Sequence, residues 1–227
     1  MRRSVLLSIS MALVTLAVAG CGAGASPTAV PEGPAPTAVP PSATPVTPAE
    51  EAATPTPAPP LEISSDAFEP GGEIPIQYTC EGANLSPPIE WSGVPEGTQS
   101  MALLLDDPDS QPPGFVHWVV YNIPSTTEGL PEGVPAEASL PDGTLQGTND
   151  FALYVGQGGT FPGGAPINLI GYDGPCPGNQ HRYVFTLYAL DALLDLPAEA
   201  TMAELLAAME GRVLGPVQLA AVYTPQP

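Results

Sequence analysis

Lysine is absent from this chain of 227 residues, and arginine occurs only as Arg2, Arg3, Arg182 and Arg212. Residues 61–227 set 21 acidic side chains against Arg182 and Arg212, a formal charge of −19. That balance excludes nucleic acid as a partner, because its phosphate backbone needs lysine and arginine contacts that this region cannot supply. Broad adsorption to anionic lipid headgroups is excluded for the same reason. Long apolar runs are also missing: Val5 to Gly20 is uncharged but spans 16 residues, short of the roughly 20 that a helix needs to cross the hydrocarbon core. Histidine is limited to His117 and His181. No HxH, HExxH or paired-cysteine spacing accompanies them, so a metal site has no motif behind it. Neither a GxSxG elbow nor an SxxK pair is present to announce an activated serine.

What is present begins with Arg2 and Arg3, an apolar stretch and small residues before Cys21, the layout of an export signal over residues 1–20. Val18-Ala19-Gly20-Cys21 resembles the bacterial lipobox, in which the cysteine becomes the new N-terminus and carries lipid. An ordinary secretory signal with a chance cysteine is the alternative. Acyl chains at Cys21 would anchor the protein to a membrane surface, since stable anchoring needs more than one chain. Residues 21–60 continue as Ala, Pro, Thr, Gly, Ser and Val with three glutamates and no aromatic residue, a composition that cannot bury a core. At about 3.1 Å per residue in polyproline II, this tether reaches roughly 100 Å. Residues 61–227 remain, enough for one domain with one core.

Setting Cys21 aside leaves Cys80 and Cys176, an even pair in an exported domain where a disulfide persists. We expect a bridge, with two buried free thiols or a metal pair as the alternatives.

The domain reads as mainly β. LEIS, EIPIQYT, SMALLLDD, FVHWVVYNI, HRYVFTLYAL and PVQLAAVY are short β-branched or aromatic runs between Gly, Pro, Asn and Asp clusters, the spacing of a two-sheet sandwich. TMAELLAAMEGRVLG reads as a helix opened by a capping box at Thr201 and Glu204. Its apolar stripe runs through Met202, Leu205, Leu206, Met209 and Val213. A helical turn is expected at Asp191 to Leu194.

Few polar residues could carry chemistry. Asp106, Asp107 and Asp109 end one strand, and Pro108 cannot continue a ladder, which places these carboxylates where loops expose side chains. Alternation puts Phe115, His117, Val119 and Tyr121 on one face of the next strand, and His181, Tyr183, Phe185 and Leu187 on one face of a later one. Three chemistries are compatible with two imidazoles and two acids: a metal site, a hydrolase, or an anion pocket. The last needs only ring nitrogens, backbone donors from a turn, and acids that orient the rings.

YTCEGANLSPPIEW, DDPDSQPPGFVHWVVYNIP, QGTNDF, GYDGPCPGNQHRYVFTLYALD and the late segment GRVLGPVQLAAVY together resemble the bacterial, Raf-kinase-inhibitor-like branch of the phosphatidylethanolamine-binding protein family. The resemblance covers nearly all of residues 61–227 in order. It implies two antiparallel sheets with Greek-key connections, a C-terminal helical segment, and one small cavity for anions such as phosphate or a phosphoryl headgroup. The family's DPDxP motif falls on Asp107, Pro108 and Asp109, its strand histidine on His117, and its HR block on His181-Arg182. By that carry-over Asp107, Asp109, Phe115, His117 and His181 face the ligand. Gly174, Pro175, Cys176 and Pro177 form the rim, and Tyr183 borders it. Both imidazoles are expected to donate to ligand oxygens, with Asp107 accepting from one ring, so that anion affinity strengthens as pH falls. Arg182 alternates away from His181 and is expected to pair with an acid instead.

This sequence departs from the family in ALYVGQGGTFPGGAPINLI, residues 152–170, where relatives need only a few residues, and in a shortened run before His181. The insertion could be a lid, a partner surface or a tolerated loop. With the export signal and Cys21, the reading is a non-enzymatic binding protein without cofactor or metal, held by lipid outside the cytoplasm. The alternatives are an interaction module inhibiting an envelope protease, and a weak hydrolase.

Overall fold

The run Met101 to Leu105 has no polar residue to alternate with, and the fold accounts for it: this strand is covered on both faces. A computed structural model describes residues 59–155, 160–161 and 164–226. The expected signal, Cys21 and the tether as far as residue 58 lie outside the described residues. Two antiparallel sheets form the domain. The smaller pairs β1 (Glu62–Ser64), β2 (Ile89–Ser92) and β5 (Gly129–Leu130) in the order β1-β2-β5. The larger has the order β6-β4-β3-β7-β8, from β3 (Ser100–Asp107), β4 (Phe115–Pro124), β6 (Leu145–Gln146), β7 (His181–Leu190) and β8 (Val213–Tyr223). This mainly β, two-sheet architecture is the expected one.

Between the sheets, Ile89, Trp91 and Leu130 meet Leu103, Leu105, Trp118, Val120, Phe185 and Leu187. On the far face of the larger sheet, Ala102, Leu104, Val119, Tyr121 and Leu190 are covered by Leu205 and Met209 of α2 (Met202–Met209). A strand buried on both faces reads as an apolar run rather than an alternation. The capping box forms as expected: Thr201 Oγ1 accepts from Glu204 N at 3.3 Å, and Glu204 Oε2 accepts from Thr201 N at 2.8 Å.

Several local expectations are corrected. α2 stops at Met209, and Gly211, at φ +73°, turns the chain so that Val213 begins β8 instead of extending the helical stripe. Leu206 is exposed at 39%, because Leu205 and Met209 already fill the contact with the sheet. EIPIQYT is not a strand: Ile74 N donates to Val222 O at 2.7 Å, but Pro75 has no N–H to continue the pairing, and Ile76–Tyr78 form a 3₁₀ turn. No helical turn forms at Asp191 to Leu194, where the Asn122 side chain takes both the N–H and the carbonyl of Leu194. α1 (Phe151–Val155) lies at the start of the insertion and was not expected.

One irregularity bears on the site. On β4, Val116 and Trp118 pair with the consecutive residues Asp106 and Leu105 of β3, so His117 is the extra residue of a bulge. The bulge breaks the expected alternation: Val116 packs with Val119 and Tyr121 on the α2 side, while the His117 ring lies 5.2 Å from that of Tyr183, which belongs to the inter-sheet core. On β7 the alternation holds, with Tyr183, Phe185 and Leu187 all in that core.

Candidate functional site

Where β3 ends and β4 and β7 begin, a cavity of about 200 Å³ is lined by Asp107, Ser110, Gln111, Phe115, His117, Phe151, Cys176, Pro177, His181 and Tyr183. Seven of these are expected site residues. Asp107 Oδ2 accepts from His181 Nδ1 at 2.7 Å, and Asp107 Oδ1 accepts from the backbone N–H of Asp109 at 2.9 Å. Both oxygens of this buried carboxylate are therefore occupied, and the His181 ring is fixed with Nε2 as its remaining nitrogen. Asp109 itself does not reach the cavity. Its carboxylate accepts from the Arg182 backbone N–H at 2.9 Å and faces the Arg182 guanidinium at 3.4 Å. Arg182 pairs with an acid away from the pocket, as strand geometry predicts, and at 54% exposure its pairing adds little stability.

His117 is held from behind. Its carbonyl accepts from Asp173 N at 3.0 Å and its Nδ1 donates to the Asp173 carbonyl at 2.6 Å. Burial lowers the imidazole pKa from 6.5 to about 4, against the opposing pull of the Asp173 carbonyl and the Asp107 carboxylate. The ring is thus neutral at ordinary pH with its proton on Nδ1, and Nε2 presents a lone pair. This corrects the donor role expected for His117: the N–H that was to meet a ligand oxygen is spent on backbone. Burial and then the nearby Asp107 carboxylate keep the Tyr183 hydroxyl protonated throughout the ordinary range.

The Asp173 side chain is itself buried. Its Oδ1 accepts from Asn84 Nδ2, and its Oδ2 has no partner among the described residues. Burial raises its pKa from 3.8 to about 7, although the Asn84 bond works the other way. Asn84 also accepts from Gly174 N at 2.8 Å and donates to the Pro166 carbonyl at 3.0 Å. Asn84 thereby ties the segment behind His117 to the insertion.

Of the four expected rim residues, Cys176 and Pro177 line the cavity. Gly174 and Pro175 lie behind it. A Cβ at Gly174 would sit 2.2 Å from the Tyr78 carbonyl oxygen, so no other residue fits without moving backbone. Pro175 O accepts from Cys80 N at 3.0 Å, beside the Cys80–Cys176 disulfide, which joins segments 96 residues apart. The insertion packs on this bridge through Phe161 and Ala165, and Phe151 closes the cavity wall with ring centroids 4.8 Å from Phe115 and 5.5 Å from His117.

Ser110, Gln111, Phe151, Asn84 and Asp173 escape sequence reasoning. Phe151 had a signal in Asn149-Asp150: Asn149 Oδ1 accepts from Phe151 N at 3.1 Å and Asp150 Oδ2 from Val116 N at 2.9 Å, a side-chain cap that seats α1 against β4. Asp173 had a weaker one, an acid set among turn residues in GYDGPCPG. Among the described residues no three of His, Cys, Asp and Glu converge as metal ligands would.

A family model described as phosphatidylethanolamine-binding protein matches residues 64–224. Among curated proteins, a UPF0098 protein of Methanothermobacter thermautotrophicus is 45% identical over 164 residues, which is 72% of this chain and 98% of that protein. A UPF0098 protein of Aquifex aeolicus is 39% identical over 167 residues, 72% of this chain and 88% of its own length. Among solved structures, a putative phosphatidylethanolamine-binding protein homolog of Chlamydia trachomatis, CT736, aligns with a TM-score of 0.60 and 32% identity over 73% of this chain and 98% of that one. E. coli YbcL, described as a new member of the mammalian family, aligns with a TM-score of 0.62 and 29% identity over 73% of this chain and 99% of that one.

Proposed function

The chain belongs to the phosphatidylethanolamine-binding protein family, and from that premise we propose that its cavity binds a small phosphoryl ligand, in a domain tethered by lipid to the outer side of a cell membrane. The observation that carries the binding role is the Asp107–His181 pair facing His117 across a cavity walled by Phe115, Phe151 and Tyr183. Apolar walls around a few fixed polar atoms are the usual form of a small-molecule site. The ring of His181, locked through Nδ1, offers its Nε2 to the ligand, and a cavity of about 200 Å³ admits a headgroup-sized molecule and little more.

The hydroxyls at hand support binding rather than turnover. Ser110 Oγ lies 2.7 Å from the carbonyls of Asp107 and of Pro112 and accepts from Phe115 N, so it has a structural task and no base beside it. Calorimetric titration with methyl phosphate tests the role. His181→Ala should weaken binding by about tenfold or more, the value of a charge-assisted hydrogen bond. Unchanged affinity in that variant would remove the pair from the site. Turnover of a phosphoester panel that vanishes with His181→Ala would move the protein to the hydrolase class.

A second role rests on a different observation. Leu153, on α1 beside the cavity wall, is 77% exposed. We propose Leu153 as the contact point for a protein of the cell envelope, a protease among them. Leu153→Asp should then abolish that contact and leave methyl phosphate binding unchanged.

A further inference from the structure

We infer that the cavity selects a phosphoryl group that still carries a proton, a phosphate monoester in its monoanionic form whose P–OH donates to Nε2 of His117, and that it discriminates against phosphodiesters. The inference rests on the phosphoryl role proposed above and narrows it to one protonation state and one ester class.

Three observations converge on it. The first is the direction of the His117 ring. Nδ1 donates to the Asp173 carbonyl at 2.6 Å, so the ring cannot flip without losing that contact, and the backbone bond from Asp173 N to the His117 carbonyl keeps the two segments in register. Among the described residues no protein group donates to Nε2. A ligand that approaches this atom must bring its own hydrogen, because two lone pairs repel.

The second is charge. Among the described residues the cavity wall has no lysine or arginine, and the nearest guanidinium, Arg182, is turned to Asp109. The Asp107–His181 pair is at most neutral even when His181 carries a proton. A dianion would therefore enter a site with no net positive charge, next to a buried carboxylate and inside a domain of formal charge −19. The monoanion halves that penalty and supplies the hydrogen that Nε2 lacks.

The third is that no neighbour converts His117 into a donor. The groups that act on its ring are the Asp107 carboxylate at the end of β3, His181 on β7, and the Asp173 and Gly174 carbonyls, with the Tyr183 ring packed against it; the Asp173 carboxyl is held by Asn84 and the Asp150 carboxylate by Val116 N. Burial outweighs the acids and carbonyls that favour the imidazolium. A diester, which has no P–OH, thus meets an acceptor with acceptors.

The predicted signature is a pH dependence owned by the ligand. The second ionisation of a phosphomonoester lies near pH 6, so its monoanion falls roughly twentyfold in proportion between about pH 5.5 and about pH 7.5. Titration calorimetry of the full chain with methyl phosphate and with dimethyl phosphate at these two pH values separates the cases. On going to the lower pH methyl phosphate should gain roughly twentyfold more affinity than dimethyl phosphate gains, any response of the protein being common to both esters, and dimethyl phosphate should bind at least about tenfold more weakly than methyl phosphate there. Equal affinity for the two esters, or an equal gain for both on acidification, would overturn the selection while leaving the phosphoryl role intact. Failure of both esters to bind at either pH would overturn the role and the selection together. A measurement independent of ligand reads the ring itself: long-range ¹H–¹⁵N spectra of the histidines should show His117 protonated at Nδ1 alone at neutral pH, and a proton on Nε2 would overturn the inference.

Discussion

His117 and Asp173 exchange two hydrogen bonds, yet they respond to pH in opposite directions. His117 titrates near 4 in the fold and at its ordinary 6.5 when unfolded. Between those values the unfolded chain binds more protons, so stability rises with pH. Asp173 titrates at about 7 in the fold against its ordinary 3.8. Over that interval the folded chain binds more protons, so stability falls as pH rises, and the loss is complete above about 7. From about 4 to 6.5 the two slopes cancel. Asp173→Asn removes the falling one: Asn Oδ1 still accepts from Asn84, and its NH₂ takes the place of an Oδ2 that has no partner. Urea unfolding at a series of pH values should show the variant gaining on the parent by about 1 kcal/mol per pH unit between about pH 4 and 7, and no gain above. A pH-independent difference would mean that Asp173 does not hold its proton in the fold. His117 could be read from the sequence as a site residue, but neither Asp173 as its partner nor the protonation of the two could. His117 and Asp173 lie 56 positions apart, and the burial that moves both arises only once the strands have packed.

At the scale of elements, the α2 stripe shows what periodicity can and cannot say. Leu205 and Leu206 are both compatible with an apolar helical face, and only the position of the sheet separates them: Leu205 is fully buried and Leu206 is 39% exposed. Leu205→Ala should therefore cost about 2 to 5 kcal/mol by cavity formation, and Leu206→Ala less than about 1 kcal/mol, as read from denaturant midpoints. Comparable losses would mean that α2 packs through a different face. β3, β4 and β7 were legible because each carries a long apolar or aromatic run with turn residues at its ends. The bulge was not, since an extra residue on β4 exists only relative to the register of β3. β5 and β6, of two residues each, are too short to show a period and exist because a neighbouring strand offers an edge.

At the scale of the molecule, the Cys80–Cys176 bridge closes the longest covalent loop of the domain and sits between the pocket rim and the insertion. On the chain-entropy model a loop of this length contributes about 4 to 5 kcal/mol. The described residues of the insertion are anchored: Phe161 and Ala165 bury against Cys80, Asn168 bonds the Tyr172 carbonyl, and Asn149, just before the insertion, bonds that of Gly171. Membrane attachment belongs to this scale too. Among the described residues no helix is long and apolar enough to cross a membrane, and a region of charge −19 gains nothing from anionic lipid; the tether proposed above is the lipid at Cys21. Mass spectrometry of the N-terminal peptide from the mature protein should find Cys21 as its first residue, bearing a diacylglyceryl group. A mature chain that begins elsewhere, with no lipid, would overturn the lipid tether.

Composition, strand runs and the even cysteine pair determined the class of fold and the long strands, because each is a local property of the chain, while most of the residues around the cavity came from the family resemblance of the ordered motifs. Packing alone decided that Asp109 turns outward to Arg182, that Gly174 and Pro175 stand behind the rim, and that Phe151 enters the wall. It also decided the tautomer of His117, since a ring takes its proton where a buried carbonyl 56 residues away demands it. Chemistry of that kind depends on which groups lose water together, and that is settled only when the two sheets close.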